Sequence, residues 1–293
     1  GTNILQFYDP VVSSLEAMNI SKTGTRGKNI LANLYKRSPE IKTASLQIRD
    51  LKRLIDPEKL YTKKEIVDIA KRIKSLGANA FRAGAYKPCT YPILKETNGW
   101  KEGLREEGLK LLQQVKEETG LPIVTEVMDA SMIEEVSQVA DVFQIGTRNF
   151  QNYTLLDALG KCNTPVLLKR GTWGTIDEIL GACERILVGG NDNIAICLRG
   201  VVGMPNYRHV FPTIRWAPDL MMIPALKELT NIPIIFDPSH STGYRNFVTP
   251  MSKAALAAGA NGLIVECHPE PDNSISDPAQ AIDYNTLNEV FNG

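Results

Sequence analysis

The sequence predicts an α/β chain built as one (β/α)8 barrel, with a short extension ahead of it. Three observations predict this. The 293 residues fit a barrel, which takes roughly 250. From about residue 50 onward, short apolar runs alternate with amphipathic helical stretches. Most of those runs are almost continuously apolar, as parallel strands covered on both faces must be.

Residues 1–45 carry two short helical patterns and a polar loop at 22–28, too little for a core of their own. They are expected to form an extension that packs on the barrel or on a neighbouring subunit, leaving 46–293 as the barrel. The first strand is expected at 50–56, although the surrounding stretch mixes apolar residues with charges and reads equally as helix. The other strands are expected at 79–86, 122–127, 142–146, 165–170, 194–200, 233–239 and 262–268. Helical periods lie between them, for example at 64–76, 104–119, 133–139, 176–187 and 252–258. Gly77, Gly120 and Gly259 stand where left-handed helix ends are wanted. A last helix at 284–291 closes the count.

Composition excludes several function classes. Lys+Arg and Asp+Glu both number 33, so no bulk attraction to nucleic acid or an anionic membrane is expected. No apolar run reaches about 18 residues and no signal peptide opens the chain, so the expectation is a cytoplasmic protein without a membrane span. Cys89, Cys162, Cys183, Cys197 and Cys267 are scattered and odd in number, without a CxxC pair. That pattern argues against a disulfide framework and a structural zinc site, and suits small buried hydrophobes in a reducing compartment.

In a barrel the reactive groups come from the C-terminal ends of the strands and the loops after them. The expected strand ends carry Arg82 and Lys87, Glu126, Arg148, Lys169 and Arg170, Arg199, Asp237 and His240, then Glu266, with Asp277 just beyond. Six cations at one mouth of a chain with zero net charge read as a pocket for a multiply charged anion, phosphate plus carboxylate. Individually, each could instead pair with an acid at the barrel mouth. His240, Glu266 and Asp277 can together hold a divalent metal with open positions, although three scattered ligands are a weak motif. His209 and His268 keep a structural reading.

These residues stand in stretches that resemble a known family. Phe81-Arg82-Ala83-Gly84-Ala85-Tyr86-Lys87-Pro88, Gln144-Ile145-Gly146-Thr147-Arg148-Asn149 and Leu167-Leu168-Lys169-Arg170-Gly171 look like the 3-deoxy-D-arabino-heptulosonate 7-phosphate (DAHP) synthases. So do Asp237-Pro238-Ser239-His240-Ser241-Thr242-Gly243 and Gly262-Leu263-Ile264-Val265-Glu266-Cys267-His268-Pro269-Glu270. The likeness is to the short microbial branch, itself similar to the 3-deoxy-manno-octulosonate 8-phosphate synthases, and runs from about residue 54 to the C-terminus.

The resemblance implies a transferase that condenses phosphoenolpyruvate with an aldose or aldose phosphate and releases phosphate. It implies that Arg82, Lys87, Arg148, Lys169 and Arg199 hold phosphoenolpyruvate, and that His240, Glu266 and Asp277 are three of four ligands to a divalent metal such as Mn2+. Lys87 is then a candidate proton donor, Glu126 a candidate for orienting water, and His240 a catalytic as well as a ligating residue. A homodimer or homotetramer follows by analogy.

The chain also departs from the family's pattern. Where the family has a metal-binding cysteine, an ungapped alignment puts Glu58, which either ligates through oxygen or leaves the metal site weakened or lost. The family's Lys-Pro-Arg-Thr is Lys87-Pro88-Cys89-Thr90, and the Cys-Glu-Arg-Gly of strand six is Cys197-Leu198-Arg199-Gly200. The loops at 91–103 and 201–217 are long, and the second brings Tyr207, Arg208, His209 and Arg215. Cys89, Thr90, Arg208, Arg215 and Asp237 are therefore the candidate acceptor residues. The pattern suggests a conserved phosphoenolpyruvate half and an altered acceptor. An ordinary DAHP synthase and a catalytically inactive barrel serving as a binding or regulatory subunit are the other two readings.

Overall fold

The computed structural model describes residues 41–45, 63–88, 103–203, 210, 213–214, 216–274 and 277–292. Eight parallel strands pair in chain order and close on themselves. They are β1 (Ile41–Ser45), β2 (Phe81–Arg82), β3 (Ile123–Glu126), β4 (Val142–Ile145), β5 (Val166–Lys169), β6 (Ile194–Leu198), β7 (Ile234–Phe236) and β8 (Gly262–Glu266). Closure comes from β1, which pairs with β8 from Ile41↔Gly262 to Ser45↔Glu266 and with β2 at Ser45↔Arg82.

Outside the strands lie α1 (Lys63–Ser75), α2 (Arg105–Thr119), α3 (Ile133–Ser137), α4 (Tyr153–Leu159), α5 (Ile176–Gly189), α6 (Met222–Leu229), α7 (Pro238–Thr242), α8 (Val248–Ala257) and α9 (Tyr284–Asn292). The helix α5 starts with a full capping box, Thr175 and Glu178 each bonding the other's backbone N–H. The helix α2 stops at Gly120, whose φ of 67° is open to glycine at no steric cost. No helix among the described residues is long and apolar enough to cross a membrane.

Two expectations about elements are corrected. The first strand is Ile41–Ser45, inside the stretch expected to be extension, whereas 50–56 lies outside the described residues. Ile41–Ser45 is the strand that closes the barrel because it pairs with β8 on one side and β2 on the other. The strand expected at 233–239 ends at Phe236, and Pro238 instead opens α7. Proline at the first helical position loses no hydrogen bond, and Asp237 caps the turn by accepting from the His240 backbone N–H at 2.9 Å.

The core has two parts. A large shell lies between strands and helices, where Phe81, Phe143, Ile145, Leu168, Ile196 and Phe236 meet the apolar faces of the helices. A smaller cluster fills the barrel itself: Ala80, Val124, Leu167, Cys197, Ile235 and Ile264, with Val142 and Ala195 packed against it. Side chains alternate along a strand, so the residue two places on points the same way. Two places on from that plug stand Arg82, Glu126, Gln144, Lys169, Arg199, Asp237 and Glu266. Strand periodicity thus sets a polar layer directly above an apolar one, at the C-terminal mouth.

Candidate active site

The polar layer is a connected network of buried groups. Lys169 Nζ meets Asp237 Oδ2 at 2.6 Å, with both side chains almost fully buried. The same carboxylate oxygen lies 2.8 Å from His240 Nδ1. His240 Nε2 lies 3.4 Å from Glu266 Oε1, and Arg82 Nη1 lies 3.8 Å from that oxygen. Glu266 Oε2 accepts from Gln280 Nε2 at 2.8 Å, while its backbone N–H donates to Ser239 Oγ at 2.9 Å. Arg82 Nε donates to Gln144 Oε1 at 2.9 Å, and Gln144 Nε2 donates to Glu126 Oε2 at 3.0 Å.

Electrostatics follow from this packing. Burial works to raise the Asp237 pKa, but His240 and Lys169 beside it hold the carboxyl well below its ordinary value. Burial pushes His240 down, against the opposing pull of Asp237 and Glu266. Burial also pushes Glu126 above the usual carboxylate value, although Arg82, Lys169 and Lys87 pull the other way. One oxygen of that carboxylate, Oε1, is buried without a hydrogen-bond partner. It occupies the space that a side chain at Gly146 would take, since a Cβ there would collide with it.

His240, Glu266 and Asp277 bring one ligand atom each to within 4.8 Å of one another. The donor set fits a divalent cation. Asp237 accepts from Nδ1 and so leaves Nε2 as the lone pair facing Glu266, the arrangement that metal-ligating histidines use. Asp277 reaches the group from a left-handed backbone position, with φ of 54°, which aspartate tolerates better than most residues. Two oxygens and one imidazole suit several first-row divalent ions rather than selecting one.

The expected cation ring divides. Arg82 and Lys169 belong to the buried layer. Arg199 sits half-buried at the top of β6, its Nη1 3.4 Å from Thr147 Oγ1 and its guanidinium 5.9 Å from the Trp216 ring centroid. Lys87 is half-buried just past β2, close enough to Glu126 to act on its charge. Arg148 is exposed at the rim and donates to the Pro88 carbonyl at 2.6 Å.

Arg170 is the correction. As the neighbour of Lys169 it has the opposite parity on the strand, and it turns away from the barrel to pair with Asp219 at 3.0 Å. Its guanidinium is 1% exposed, with Nε and Nη1 lacking hydrogen-bond partners.

Of the candidate acceptor residues, Asp237 lies in the buried layer, bonded to Lys169 and His240. Cys89, Thr90, Arg208 and Arg215 lie outside the described residues, as does Glu58. The long loop after β6 is pinched at its base, where Val201 and Ala217 exchange backbone hydrogen bonds of 3.0 and 2.9 Å. His268, given a structural reading, is buried and accepts from the Glu270 backbone at 3.0 Å.

The sequence assigns no role to Gln144 or Ser239, although both stand in the family-like stretches, and does not single out Gln280. The period-2 spacing from Val142 to Gln144 was a usable signal for the first. Ser239 is marked by the Asp237–Gly243 stretch that contains it, and nothing local marks Gln280.

Comparisons with known proteins place the chain in a family. The model of the DAHP synthetase I family matches residues 54–292, so it leaves out β1. A phospho-2-dehydro-3-deoxyheptonate aldolase from Thermotoga maritima is 39% identical over 225 residues, which is 77% of this chain and 63% of the relative's length. A 2-dehydro-3-deoxyphosphooctonate aldolase from Syntrophotalea carbinolica is 31% identical over 197 residues, 64% of this chain and 68% of the relative. The crystal structure of the Thermotoga maritima DAHP synthase superposes with a TM-score of 0.75 at 34% identity, covering 87% of this chain and 68% of that one. A truncated form of the 3-deoxy-D-arabino-heptulosonate 7-phosphate synthase from Thermotoga maritima gives 0.70 at 33%, covering 85% and 84%. A family match over residues 54–292, with 39% identity to the Thermotoga heptonate aldolase, establishes that this chain belongs to the DAHP synthetase I family.

Proposed function

We propose that this protein condenses phosphoenolpyruvate with an aldose or aldose phosphate, forming a 3-deoxy-ulosonate or its phosphate and releasing inorganic phosphate. The observation that carries the reading is the mouth itself. Arg82 and Lys169 lie buried in the same layer as Glu266, which His240 meets, and half-buried Arg199 and Lys87 and exposed Arg148 stand at the same strand ends. Cations of this kind suit the phosphate and carboxylate of phosphoenolpyruvate, the guanidinium forks binding in a bidentate way.

The chemistry is balanced by water. The methylene carbon of phosphoenolpyruvate forms a bond to the aldehyde carbon, whose oxygen takes up a proton. Water adds at the adjacent carbon, and the phosphate leaves. Arg82, Lys169, Arg199 and Arg148 orient the enol phosphate and offset the charge of the departing phosphate. Lys87 supplies the proton to the new alkoxide from its half-buried position. Glu126 directs the water through Oε1, the oxygen left without a partner. His240, Glu266 and Asp277 would hold a divalent cation, Mn2+ or a similar ion, which supplies Lewis-acid polarisation of the aldehyde.

We take the acceptor to differ from the family's standard one. The support is Cys89, which stands where the family's phosphate-binding arginine is expected, together with the long loop after β6. A second reading, an ordinary DAHP synthase using erythrose 4-phosphate, is favoured by the 39% identity to the Thermotoga heptonate aldolase.

The deciding experiment incubates the enzyme with phosphoenolpyruvate, erythrose 4-phosphate and Mn2+, following phosphate release and product mass. A heptulosonate phosphate formed at a useful rate establishes the second reading. Silence with this aldose and turnover with another establishes the first. Binding of phosphoenolpyruvate without turnover on any aldose leaves a binding or regulatory barrel. Cytoplasmic location and a homodimer or homotetramer accompany the proposal by family analogy.

A further inference from the structure

We propose that Gln144 is a positioning residue of this reaction, a polar clamp that sets Arg82 toward phosphoenolpyruvate and aims one oxygen of Glu126 at the attacking water. This role rests on the function proposed above.

The geometry is specific. Gln144 is 1% exposed and lies beside Glu126 in the β3–β4 register. Its amide oxygen accepts from Arg82 Nε at 2.9 Å, and its amide nitrogen donates to Glu126 Oε2 at 3.0 Å. Arg82 and Glu126 are themselves each 5% exposed, so neither bond competes with bulk water. A glutamine is one of few side chains that can serve a guanidinium with an acceptor and a carboxylate with a donor at once. A glutamate here would repel Glu126, a leucine or methionine would serve neither group, and an asparagine is one methylene short.

The clamp also decides which carboxylate oxygen remains. With Oε2 held by Gln144, Oε1 is the oxygen left over, buried, unpartnered and lodged against Gly146. An unsatisfied buried acceptor is costly unless something fills it during function. Water positioned for addition to the enol phosphate is such a partner. The groups acting on Glu126 are Arg82 from β2, Lys87 just beyond it, Lys169 from β5 and Gln144 from β4.

The test uses the full chain with Gln144→Met and the isosteric Gln144→Glu, with thermal melts to confirm that each variant folds. Phosphate release is followed across roughly pH 5–9, with phosphoenolpyruvate varied and the aldose that the wild type accepts held saturating. For Gln144→Met we expect kcat to fall about tenfold or more and KM for phosphoenolpyruvate to rise severalfold. Its acid limb of kcat should move to higher pH, because the Gln144 bond favours the ionised carboxylate. Gln144→Glu should move that limb further, since a second carboxylate then faces the first. Folded variants with wild-type kinetics overturn the role. So does a fall in kcat with KM and the acid limb unmoved, which is what a packing defect gives. If the wild type itself consumes no phosphoenolpyruvate with any aldose, the proposed function falls and this role with it. An active wild type with indifferent variants overturns the role alone.

Discussion

Asp237 holds His240 at two points: Oδ1 accepts the backbone N–H at 2.9 Å and Oδ2 meets ring Nδ1 at 2.8 Å. The first bond caps α7 and the second fixes the ring. A single carboxylate therefore ties the start of a helix to the direction in which an imidazole lone pair points. Because Oδ2 also meets Lys169 at 2.6 Å, the cations proposed to bind phosphoenolpyruvate and the residues proposed to hold a metal share one anchor.

Asp237→Asn should weaken divalent metal binding about 10- to 100-fold, the usual effect of removing a carboxylate behind a ligating histidine. It should also destabilise the fold by about 3 kcal/mol or more, because Lys169 keeps its charge in a buried site. Metal titration by calorimetry and a denaturant melt measure the two effects separately. Unchanged metal affinity would remove Asp237 from the ligand scaffold.

Metal addition and chelation test the site through stability rather than turnover. If His240, Glu266 and Asp277 hold a cation, adding Mn2+ at about a hundred times its dissociation constant should stabilise the folded state by roughly 2.7 kcal/mol. A chelator should reverse the shift in melting temperature. His240→Ala should abolish it, and a shift that survives this substitution places the ion elsewhere.

Gly146→Ala is a sharp probe of the Glu126 pocket. The backbone at Gly146, φ −64° and ψ 155°, is open to alanine, so no conformational strain is expected. The added methyl group would instead collide with Glu126 Oε1 and lie 2.9 Å from Cδ. Overpacking of this kind costs about 1–3 kcal/mol, and turnover should fall at least as far as in Glu126→Gln. Stability and kcat close to wild type would mean that the carboxylate has another place to go.

Glu126 also predicts a pH signature in stability. Its folded pKa is raised by burial, so the folded state binds more protons than the unfolded chain above the ordinary glutamate value. Stability contributed by the protonated carboxyl is present at low pH and is lost as pH rises through the unfolded value toward the folded one. Glu126→Gln removes this loss. Melts at a series of pH values should show the variant gaining on the wild type as pH rises, and a constant difference would refute it.

Asp219→Asn tests the Arg170 pair. It leaves a guanidinium that is 1% exposed without its carboxylate, which should cost about 3 kcal/mol. Metal binding should stay as it was, because Arg170 faces away from the barrel interior. A chemical melt beside a metal titration separates the two.

The sequence alone determined much of this protein because its signals are periodic or contiguous. Seven of the eight strands are short apolar runs that can be located directly, and their ends carry Arg82, Glu126, Lys169, Asp237 and Glu266. The family resemblance rests on contiguous motifs and was open to the same reading. Alternation along a strand could also have separated Lys169, which faces into the barrel, from Arg170, which does not.

Tertiary structure decided what depends on contacts between distant residues. The first strand is Ile41–Ser45 because it pairs with both β8 and β2, a relation between segments far apart in the chain. Gln280 meets Glu266 across 14 positions and Gln144 meets Arg82 across 62, distances over which local sequence carries no geometric information. Hydrogen bonding in a buried layer depends on which groups barrel closure brings within about 3 Å. Strand parity can say which way a side chain faces, but only closure says what it meets.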